Sequence, residues 1–276
     1  MRRLILVALI FKAFVSYSQP SGLTNQENKA IICLTYDDAL DSQLSIAIPQ
    51  LDSVGLKGTF FLNSIQGTSG ILGKGSPAFY GWRKASQNGH ELANHTLFHS
   101  CPEKFGWKKE EAIESYNVDK ILKEIEVMNL YLNQIDQKTV PRTFAFPCNN
   151  VTVDGVDYSK KLKELHLVSY ARGGGDKLSV VADLDKMDMM QVPSWHVQEG
   201  TGLDELIEFA EKVKTSNGLG VFQFHGIGGP LFRISSETHR GFLKYLRDHE
   251  NDYLVSTFAD AMGIIQKRIE MKGKKK

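Results

Sequence analysis

Cysteine is scarce in this sequence, with only Cys33, Cys101 and Cys148 among 276 residues. Three is too few, and an odd number, for the disulfide framework of a small secreted domain. At most one bridge can form. Cys101 lies close to a histidine and could ligate a metal, but a small semi-buried side chain is the commoner use of such a residue. A fold held together mainly by disulfides is therefore excluded.

The chain also has no excess of charge of one sign. Its 33 Lys and Arg residues nearly balance 32 Asp and Glu residues, which gives a formal net charge of +1. This balance provides no electrostatic reason to expect nucleic acid as a partner. Internal repeats and low-complexity linkers are absent as well, so residues 19–270 are predicted to form one domain, followed by a solvated basic tail at 271–276.

Long hydrophobic runs are missing except near the start of the chain. A basic Met1-Arg2-Arg3 precedes an apolar stretch at residues 4–15, and small residues follow around Ser18. This pattern predicts a secretory signal peptide at residues 1–18 and an exported protein, periplasmic or extracellular. A retained membrane anchor is the alternative, but the stretch is well short of the ~20 residues that span a bilayer. No stable membrane insertion is expected after cleavage.

What the chain does contain is a regular alternation of short apolar runs and amphipathic stretches, typical of β-α units. About eight strands in about 250 residues favour an α/β fold of the β/α-barrel type, complete or distorted, over an open sheet. Strands are predicted at 30–36, 58–63, 90–94, 143–146, 167–171, 190–192, 220–224 and 253–257. Helices are predicted at 42–54, 108–135, 159–165, 204–214, 237–248 and 258–270, and 67–81 is expected to be a glycine-rich excursion.

Polar side chains follow these strands at their C-terminal ends. In a β/α barrel that rim is the active-site face, so their joint placement predicts a site there, although any one of them alone would be read as an ordinary loop residue. They are Asp37, Asp38, His95, His99, residues 147–150, Arg172, Trp195, His196 and His225.

The acidic pair and the first two histidines have the chemistry of a metal site. One carboxylate and two imidazoles form a ligand set that leaves coordination positions open for water and substrate, as a catalytic zinc or similar divalent ion requires. The second carboxylate would be free to accept a proton from that water. The plainer alternatives are a surface turn for His95 and His99 and a hydrogen-bonded core histidine for His225.

Three segments carry a resemblance to a known family: TYDDA at 35–39, HTLFH at 95–99 and VFQFHG at 221–226. In this order they resemble the first, second and last motifs of the polysaccharide deacetylases, the NodB-like carbohydrate esterases. The resemblance implies a distorted β/α barrel that hydrolyses acetyl groups from an acetylated glycan or oligosaccharide. It also implies a divalent metal, zinc first with cobalt, nickel or manganese as alternatives. By residue, it implies Asp37 as the general base, His225 as the general acid, and Asp38, His95 and His99 as metal ligands.

The third and fourth motifs depart from the family pattern. The resemblance implies that the N–H of Cys148, after Pro147, stabilises the oxyanion, but Ala145 stands where many relatives carry an arginine that pairs with the catalytic aspartate. Trp195 lacks the aspartate that usually precedes this tryptophan. It is predicted to line the sugar site, with a packing role as the alternative.

Arg172 offers a replacement for the missing arginine. It stands at the C-terminal end of the predicted strand that follows the third motif, on the proposed active-site rim. We hypothesise that Arg172 pairs with Asp37 and keeps that carboxylate ionised and oriented, because a guanidinium has a permanent charge and a fixed fork of donors. The alternative is that Arg172 points into solvent.

Two other functions stay open on the sequence. One is a hydrolase of non-polymeric amides on the same scaffold. The other is a glycan-binding protein that keeps the fold and the metal but has lost turnover. Ala145 favours this second option, whereas the intact Asp37 and His225 argue against it, because a binding protein needs neither a base nor an acid.

Overall fold

The structure is a computed structural model, and it describes residues 29–64 and 77–273. Its centre is a curled parallel sheet. The strands are β1 (Ala30–Asp37), β2 (Thr59–Leu62), β3 (Glu91–Asn94), β4 (Phe144–Ala145), β7 (Ala171–Arg172), β8 (Trp195–His196), β9 (Leu219–Phe224) and β10 (Tyr253–Ser256), while β5 (Thr152–Val153) and β6 (Val156–Asp157) form a separate hairpin. The sheet order is β7-β4-β3-β2-β1-β9-β8, and β10 pairs with the first half of β1.

Helices surround this sheet. They are α1 (Ile48–Ser53), preceded by a π-helical stretch at Gln43–Ala47, then α2 (Pro77–Gln87), α3 (Val118–Asp136), α4 (Ser159–Glu164), α5 (Leu203–Ser216), α6 (Ser236–Asp248) and α7 (Phe258–Gly273). All eight residues of β1 are buried, as expected for a parallel strand with both faces covered.

The period-two alternation of β1 decides which side chains face inward. Ile32, Leu34 and Tyr36 pack in the outer core, between the sheet and the surrounding helices. Ile31 and Cys33 belong instead to the inner core, which also receives apolar side chains from α7. Side chains two positions apart along a strand share a face, so the Thr35 and Asp37 side chains also point to the inside of the curled sheet.

The segment between β7 and β8 joins the two edges of the sheet. The Val192 N–H donates to the Ala171 carbonyl at 2.9 Å, and the Gly173 N–H donates to the Val192 carbonyl at 2.8 Å. From Trp195 onward the same segment pairs with β9. The predicted distorted β/α barrel is thereby confirmed.

Several element boundaries differ from the sequence prediction. The predicted strand at 190–192 is reduced to a single bridge between Val192 and Arg172, and the strand at 167–171 to Ala171–Arg172. The helix predicted to begin at residue 108 begins at Val118, because the Asn117 side chain accepts a hydrogen bond from the Lys120 N–H and caps it there. Helix α2 covers part of the segment predicted to be a glycine-rich excursion.

Two predictions concern the ends of the chain. The signal peptide at residues 1–18 lies outside the described residues. At the other end α7 continues to Gly273, so the start of the predicted tail at 271–276 is helical and its last three residues lie outside the described part. Within residues 29–64 and 77–273, no helix combines the length and apolar character needed to cross a membrane.

Candidate metal centre and catalytic pocket

The acidic pair and the histidine pair meet at the C-terminal ends of two neighbouring strands. Asp37 is the last residue of β1, and His95 directly follows β3. The chain turns sharply after β3, since Thr96 and His99 have positive φ angles of 62° and 50°. The turn is stabilised by the Asn94 side chain, which accepts from the Thr96 N–H at 2.8 Å, and by the Thr96 hydroxyl, which accepts from the His99 N–H at 2.9 Å. The two histidines are therefore presented by a loop.

Asp38, His95 and His99 form a compact, buried set of ligand atoms, all within 4.8 Å of one another. The Nε2 atoms of the two imidazoles are 3.1 Å apart, and His99 Nε2 is 3.2 Å from Asp38 Oδ1. His95 Nδ1 lies 2.8 Å from the Ala145 carbonyl, so we assign the proton to Nδ1. That leaves the Nε2 lone pair for a metal.

Burial favours the neutral, metal-binding form of His95. Removal from solvent, together with the nearby His99, lowers the pKa of the His95 imidazole to about 4, against the opposing pull of Asp37 and Asp38. Asn63 donates to Asp38 Oδ1 at 3.1 Å and orients that carboxylate. One carboxylate and two imidazoles fit a divalent metal of the zinc type.

Asp37 is held by two donors on one of its oxygens. Arg172 Nη2 donates to Asp37 Oδ2 at 2.7 Å, and Gln223 Nε2 donates to the same oxygen at 3.0 Å. Burial raises the pKa of Asp37, but the charge of Arg172, with His95 and His225, outweighs it and lowers the pKa to about 2. The other oxygen, Oδ1, is buried and without a hydrogen-bond partner among the described residues.

Arg172 reaches Asp37 from inside the barrel. It is paired in register with Ala145 on the neighbouring strand, and its side chain is fully buried. Nη1 lies 3.3 Å from the Thr35 hydroxyl, and the guanidinium carbon lies 5.0 Å from the centroid of the Phe61 ring. The small Ala145 side chain faces the same inner core.

His225 follows β9 and faces both aspartates. Its Nε2 lies 4.0 Å from Asp37 Oδ2 and 3.9 Å from Asp38 Oδ2, and within the described region its Nδ1 is buried and unpartnered. The His196 and Phe232 rings pack beside it, each with its centroid 5.1 Å away. Burial, together with the nearby His225, lowers the pKa of His196 to about 4.

Asp37, Asp38, His95, His99 and His225 line one cavity of about 400 Å³. The other lining residues are Phe105, Trp107, Cys148, Asn149, His196, Gln223, Leu231 and Phe232. Larger cavities of about 560 and 600 Å³ lie elsewhere on the described surface, but the metal-ligand set does not line them. Because Asp37, Asp38, His95, His99 and His225 all line the smaller cavity, it is the candidate catalytic pocket.

A disulfide joins two loops of this pocket. Cys101, two residues after His99, is bonded to Cys148, next to Pro147. Cys148 and Asn149 have positive φ angles of 51° and 54°, so the turn after β4 is sharply bent. Cys101 is thus a bridge partner, and Cys33 is the free, buried cysteine.

Trp195 is the clearest correction to the predicted site residues. Its side chain is 4% exposed and packs against Phe209 and Phe222, with ring centroids 5.1 and 5.7 Å away. It therefore belongs to the outer core and is not on the pocket wall. Because neighbouring strand residues point to opposite faces, His196 faces the pocket instead. Pro147 is buried beneath the Cys148 turn.

Several lining residues were not predicted from the sequence. Gln223 could have been predicted from the sequence, because it precedes His225 by two positions and its side chain therefore points to the same face of the strand. Phe105 ends a short 3-10 helix at Glu103–Phe105 and Trp107 follows it, in a segment whose sequence has no period that would indicate which side chains face the pocket. Leu231 and Phe232 belong to the loop after His225 and have positive φ angles of 69° and 42°.

Comparison with known proteins identifies the family. Residues 24–164 match the family model described as polysaccharide deacetylase, so the chain belongs to the polysaccharide deacetylase family, the NodB-like carbohydrate esterases. A search of curated protein sequences finds no match.

Three solved structures illustrate the shared fold. The first is the Xyl-CE4 domain of a multidomain xylanase from the hindgut metagenome of Trinervitermes trinervoides, which is 16% identical in sequence to this chain. The alignment covers 84% of this chain and 89% of the xylanase domain, with a TM-score of 0.56. A family 4 acetyl xylan esterase from Clostridium thermocellum, in complex with a cobalt ion, is 17% identical, with coverages of 85% and 91% and a TM-score of 0.51. A CE4 family pseudoenzyme from Bacillus anthracis is 15% identical, with coverages of 84% and 65% and a TM-score of 0.52.

Proposed function

We propose that this protein is an exported, metal-dependent deacetylase that hydrolyses acetyl groups from an acetylated carbohydrate. The observation that carries the proposal is the arrangement of one pocket, in which Asp37 and His225 lie beside the buried cluster of Asp38, His95 and His99. Asp37 Oδ2 is 3.8 Å from His95 Nε2, and His225 Nε2 is 4.0 Å from Asp37 Oδ2 and 3.9 Å from Asp38 Oδ2. Membership of the polysaccharide deacetylase family supports the reaction class. The N-terminal sequence pattern supports export.

Asp38, His95 and His99 are the proposed metal ligands. The chemistry that a divalent ion supplies when bound there is Lewis acidity and a lowered pKa of a coordinated water. Zinc is the proposed ion because a mixed oxygen and nitrogen set suits it, and cobalt, nickel or manganese are the alternatives. The acetyl xylan esterase of similar fold is described in complex with cobalt.

Asp37 is the proposed general base. Arg172 and Gln223 both donate to Oδ2, so the carboxylate is held ionised and fixed, and Oδ1 has no partner among the described residues. In this proposal Oδ1 accepts a proton from the attacking water. Arg172 acts by positioning Asp37 and takes the place of the family arginine that Ala145 replaces.

His225 is the proposed general acid. Its Nε2 faces the two aspartates, and it lines the pocket together with Cys148. His225 donates a proton to the leaving nitrogen or oxygen, and the Cys148 N–H, directly after Pro147, stabilises the negative charge that develops on the acetyl oxygen.

The test is acetate release from a panel of N-acetylated and O-acetylated oligosaccharides and small acetamides, with and without a chelator. Release from sugars that stops with the chelator and returns with added zinc is the expected result. Release from small acetamides alone would support an amidohydrolase instead. Sugar binding without any release would support a non-catalytic glycan-binding protein; one protein of similar fold, from Bacillus anthracis, is described as a pseudoenzyme.

A further inference from the structure

A serine behind Gln223 contacts the far end of the amide that donates to Asp37. Nε2 of Gln223 donates to Asp37 Oδ2 at 3.0 Å, while Oε1 of the same amide accepts from the Ser194 hydroxyl at 3.2 Å. Gln223 is 5% exposed and Ser194 is fully buried, so both contacts are shielded from solvent. The three side chains therefore form a buried chain of hydrogen bonds that ends on the proposed base.

The two ends of the Gln223 amide are not interchangeable in this position. The Nε2 end donates hydrogen bonds and the Oε1 end accepts them. If the amide were turned by half a rotation, Oε1 would face Asp37 Oδ2, and two acceptors would meet without a proton between them. The Ser194 hydroxyl favours the same orientation from the other side, because its proton needs an acceptor and Oε1 supplies one. Ser194 thus helps to aim the donor of Gln223 at Asp37.

Ser194 is itself anchored to the glycine-rich turn that follows β7. Its hydroxyl also donates to the Gly173 carbonyl at 2.8 Å, so one proton is shared between two acceptors. The Ser194 N–H donates to the Gly174 carbonyl at 3.4 Å. A Cβ atom on Gly174 would lie 2.4 Å from Cγ of Asn149, a residue that lines the catalytic pocket, so glycine permits this close approach. The anchor of Ser194 is therefore packed against the pocket wall.

We propose that Ser194 is a positioning residue for the deacetylation reaction and acts on Asp37 through Gln223. Arg172 supplies the charge that keeps the Asp37 carboxylate ionised. The Ser194–Gln223 pair adds a second donor from a different strand, β9, and so restricts the rotation of that carboxylate and the direction of its free Oδ1 atom. This inference rests on the proposed function and adds a residue that does not itself line the catalytic pocket.

A double-mutant cycle tests the inference, with kcat and KM measured on the acetylated oligosaccharide that the wild type cleaves best. Ser194→Ala removes the hydroxyl, and Gln223→Met removes the amide but keeps an unbranched side chain of similar length. Ser194→Ala should lower kcat by about three- to tenfold, the value of one hydrogen bond, with KM and zinc affinity unchanged. Gln223→Met should lower kcat at least as much. In the Gln223→Met background, Ser194→Ala should have no further effect on kcat, because Ser194 acts only through Gln223.

Gln191 and Ser159 provide a matched control pair. Gln191 Nε2 donates to the Ser159 hydroxyl at 3.0 Å, and neither residue lines the catalytic pocket. Ser159→Ala and Gln191→Met should keep the wild-type kcat. The inference is overturned if Ser194→Ala leaves kcat unchanged, if it lowers kcat equally with and without Gln223, or if the controls lower kcat as much. Should Ser194→Ala not fold, Ser194→Cys, which keeps a side chain of similar size but donates only weakly, takes its place with the same expected result.

Failure of the proposed function is distinguishable from failure of this inference. If the wild type releases no acetate from any substrate, the proposed function fails, and NMR of the Gln223 side-chain amide then decides the role of Ser194. The Nε2 protons should exchange slowly with solvent in the wild type and in Ser159→Ala, and at least about threefold faster in Ser194→Ala, because the loss of one hydrogen bond frees the amide. Equal exchange in all three proteins removes the positioning role.

Discussion

The guanidinium of Arg172 lies 2.7 Å from Oδ2 of Asp37, although 135 positions separate the two residues in the sequence. Both side chains are buried, at 0% and 1% exposure, so the ion pair is shielded from solvent. Because a permanent positive charge occupies the position beside Ala145, Asp37 does not need an arginine from β4. The same ion pair therefore contributes to the stability of the barrel interior and orients Asp37, the proposed base.

Arg172→Ala should therefore reduce both stability and turnover. Removing one partner of a buried ion pair leaves an uncompensated carboxylate and costs about 3–5 kcal/mol. Arg142→Ala is the matched control, since Arg142 forms another buried pair, 2.7 Å from Asp136. Chemical unfolding and kcat should show comparable destabilisation in both variants but loss of kcat, by at least about a hundredfold, in Arg172→Ala alone. Unchanged kcat in Arg172→Ala would remove its positioning role.

Asp38→Ala and His95→Ala should lose metal and activity together, because each removes one of three ligands. Elemental analysis of purified protein and calorimetric zinc titration provide readouts that do not depend on activity. His90→Ala is a suitable control, since His90 is a buried histidine that bonds to Gly58 and Asp52, outside the pocket. Stoichiometric zinc in both ligand variants would contradict the assigned site.

Asp37→Asn and His225→Ala should keep the metal and lose most of the turnover. The amide of asparagine cannot accept a proton from water, and alanine cannot donate one to the leaving group. Each change is expected to lower kcat by about 10²- to 10⁴-fold. The check is kcat measured beside metal content for the same preparations. Loss of metal from Asp37→Asn would mean that the two aspartates have exchanged roles.

Opening the Cys101–Cys148 bridge should destabilise the protein and slow turnover. The bridge closes a segment with a sequence separation of 47 and holds the Cys148 turn against the His99 turn. Its loss should lower the free energy of unfolding by about 2–4 kcal/mol. The measurement compares the melting temperature and kcat of a Cys101→Ser, Cys148→Ser double variant with those of Cys33→Ala, which removes a buried thiol but no bridge. Equal kcat in the double variant and the wild type would contradict a positioning role.

The metal-free protein should lose stability as the pH falls below about 6.5, in part because of His239. Burial lowers the pKa of His239 from 6.5 to about 3. Between these values the unfolded chain binds a proton that the folded chain does not, so each pH unit of acidification costs up to about 1.4 kcal/mol. His239 bonds to Tyr36 and Gln50, far in sequence from both.

Urea unfolding at pH 7, 6 and 5, with a chelator present, measures this dependence. His239→Gln should reduce the slope of the unfolding free energy against pH. Equal slopes in the wild type and His239→Gln would show that His239 is not buried in its neutral form.

The sequence by itself determined the barrel and a part of the set of residues around its rim. Long, fully buried strands such as β1 and β9 can be recognised because most of their residues are apolar. The C-terminal ends of parallel strands meet on one face, so Asp37, Asp38 and His225 were predicted to converge. The strand order also suggested that Arg172 could approach Asp37.

Tertiary structure alone decided the direction of Trp195 and the Cys101–Cys148 pairing. β8 has only two residues, too few for a period that would indicate which side chain faces the pocket. The segment between His99 and α3 has no regular pattern, and its path depends on distant partners such as Cys148 and Glu124. The local periodicity of a sequence specifies its helices and strands and which of their faces are buried. Contacts between residues far apart in the sequence form only when these helices and strands pack against one another.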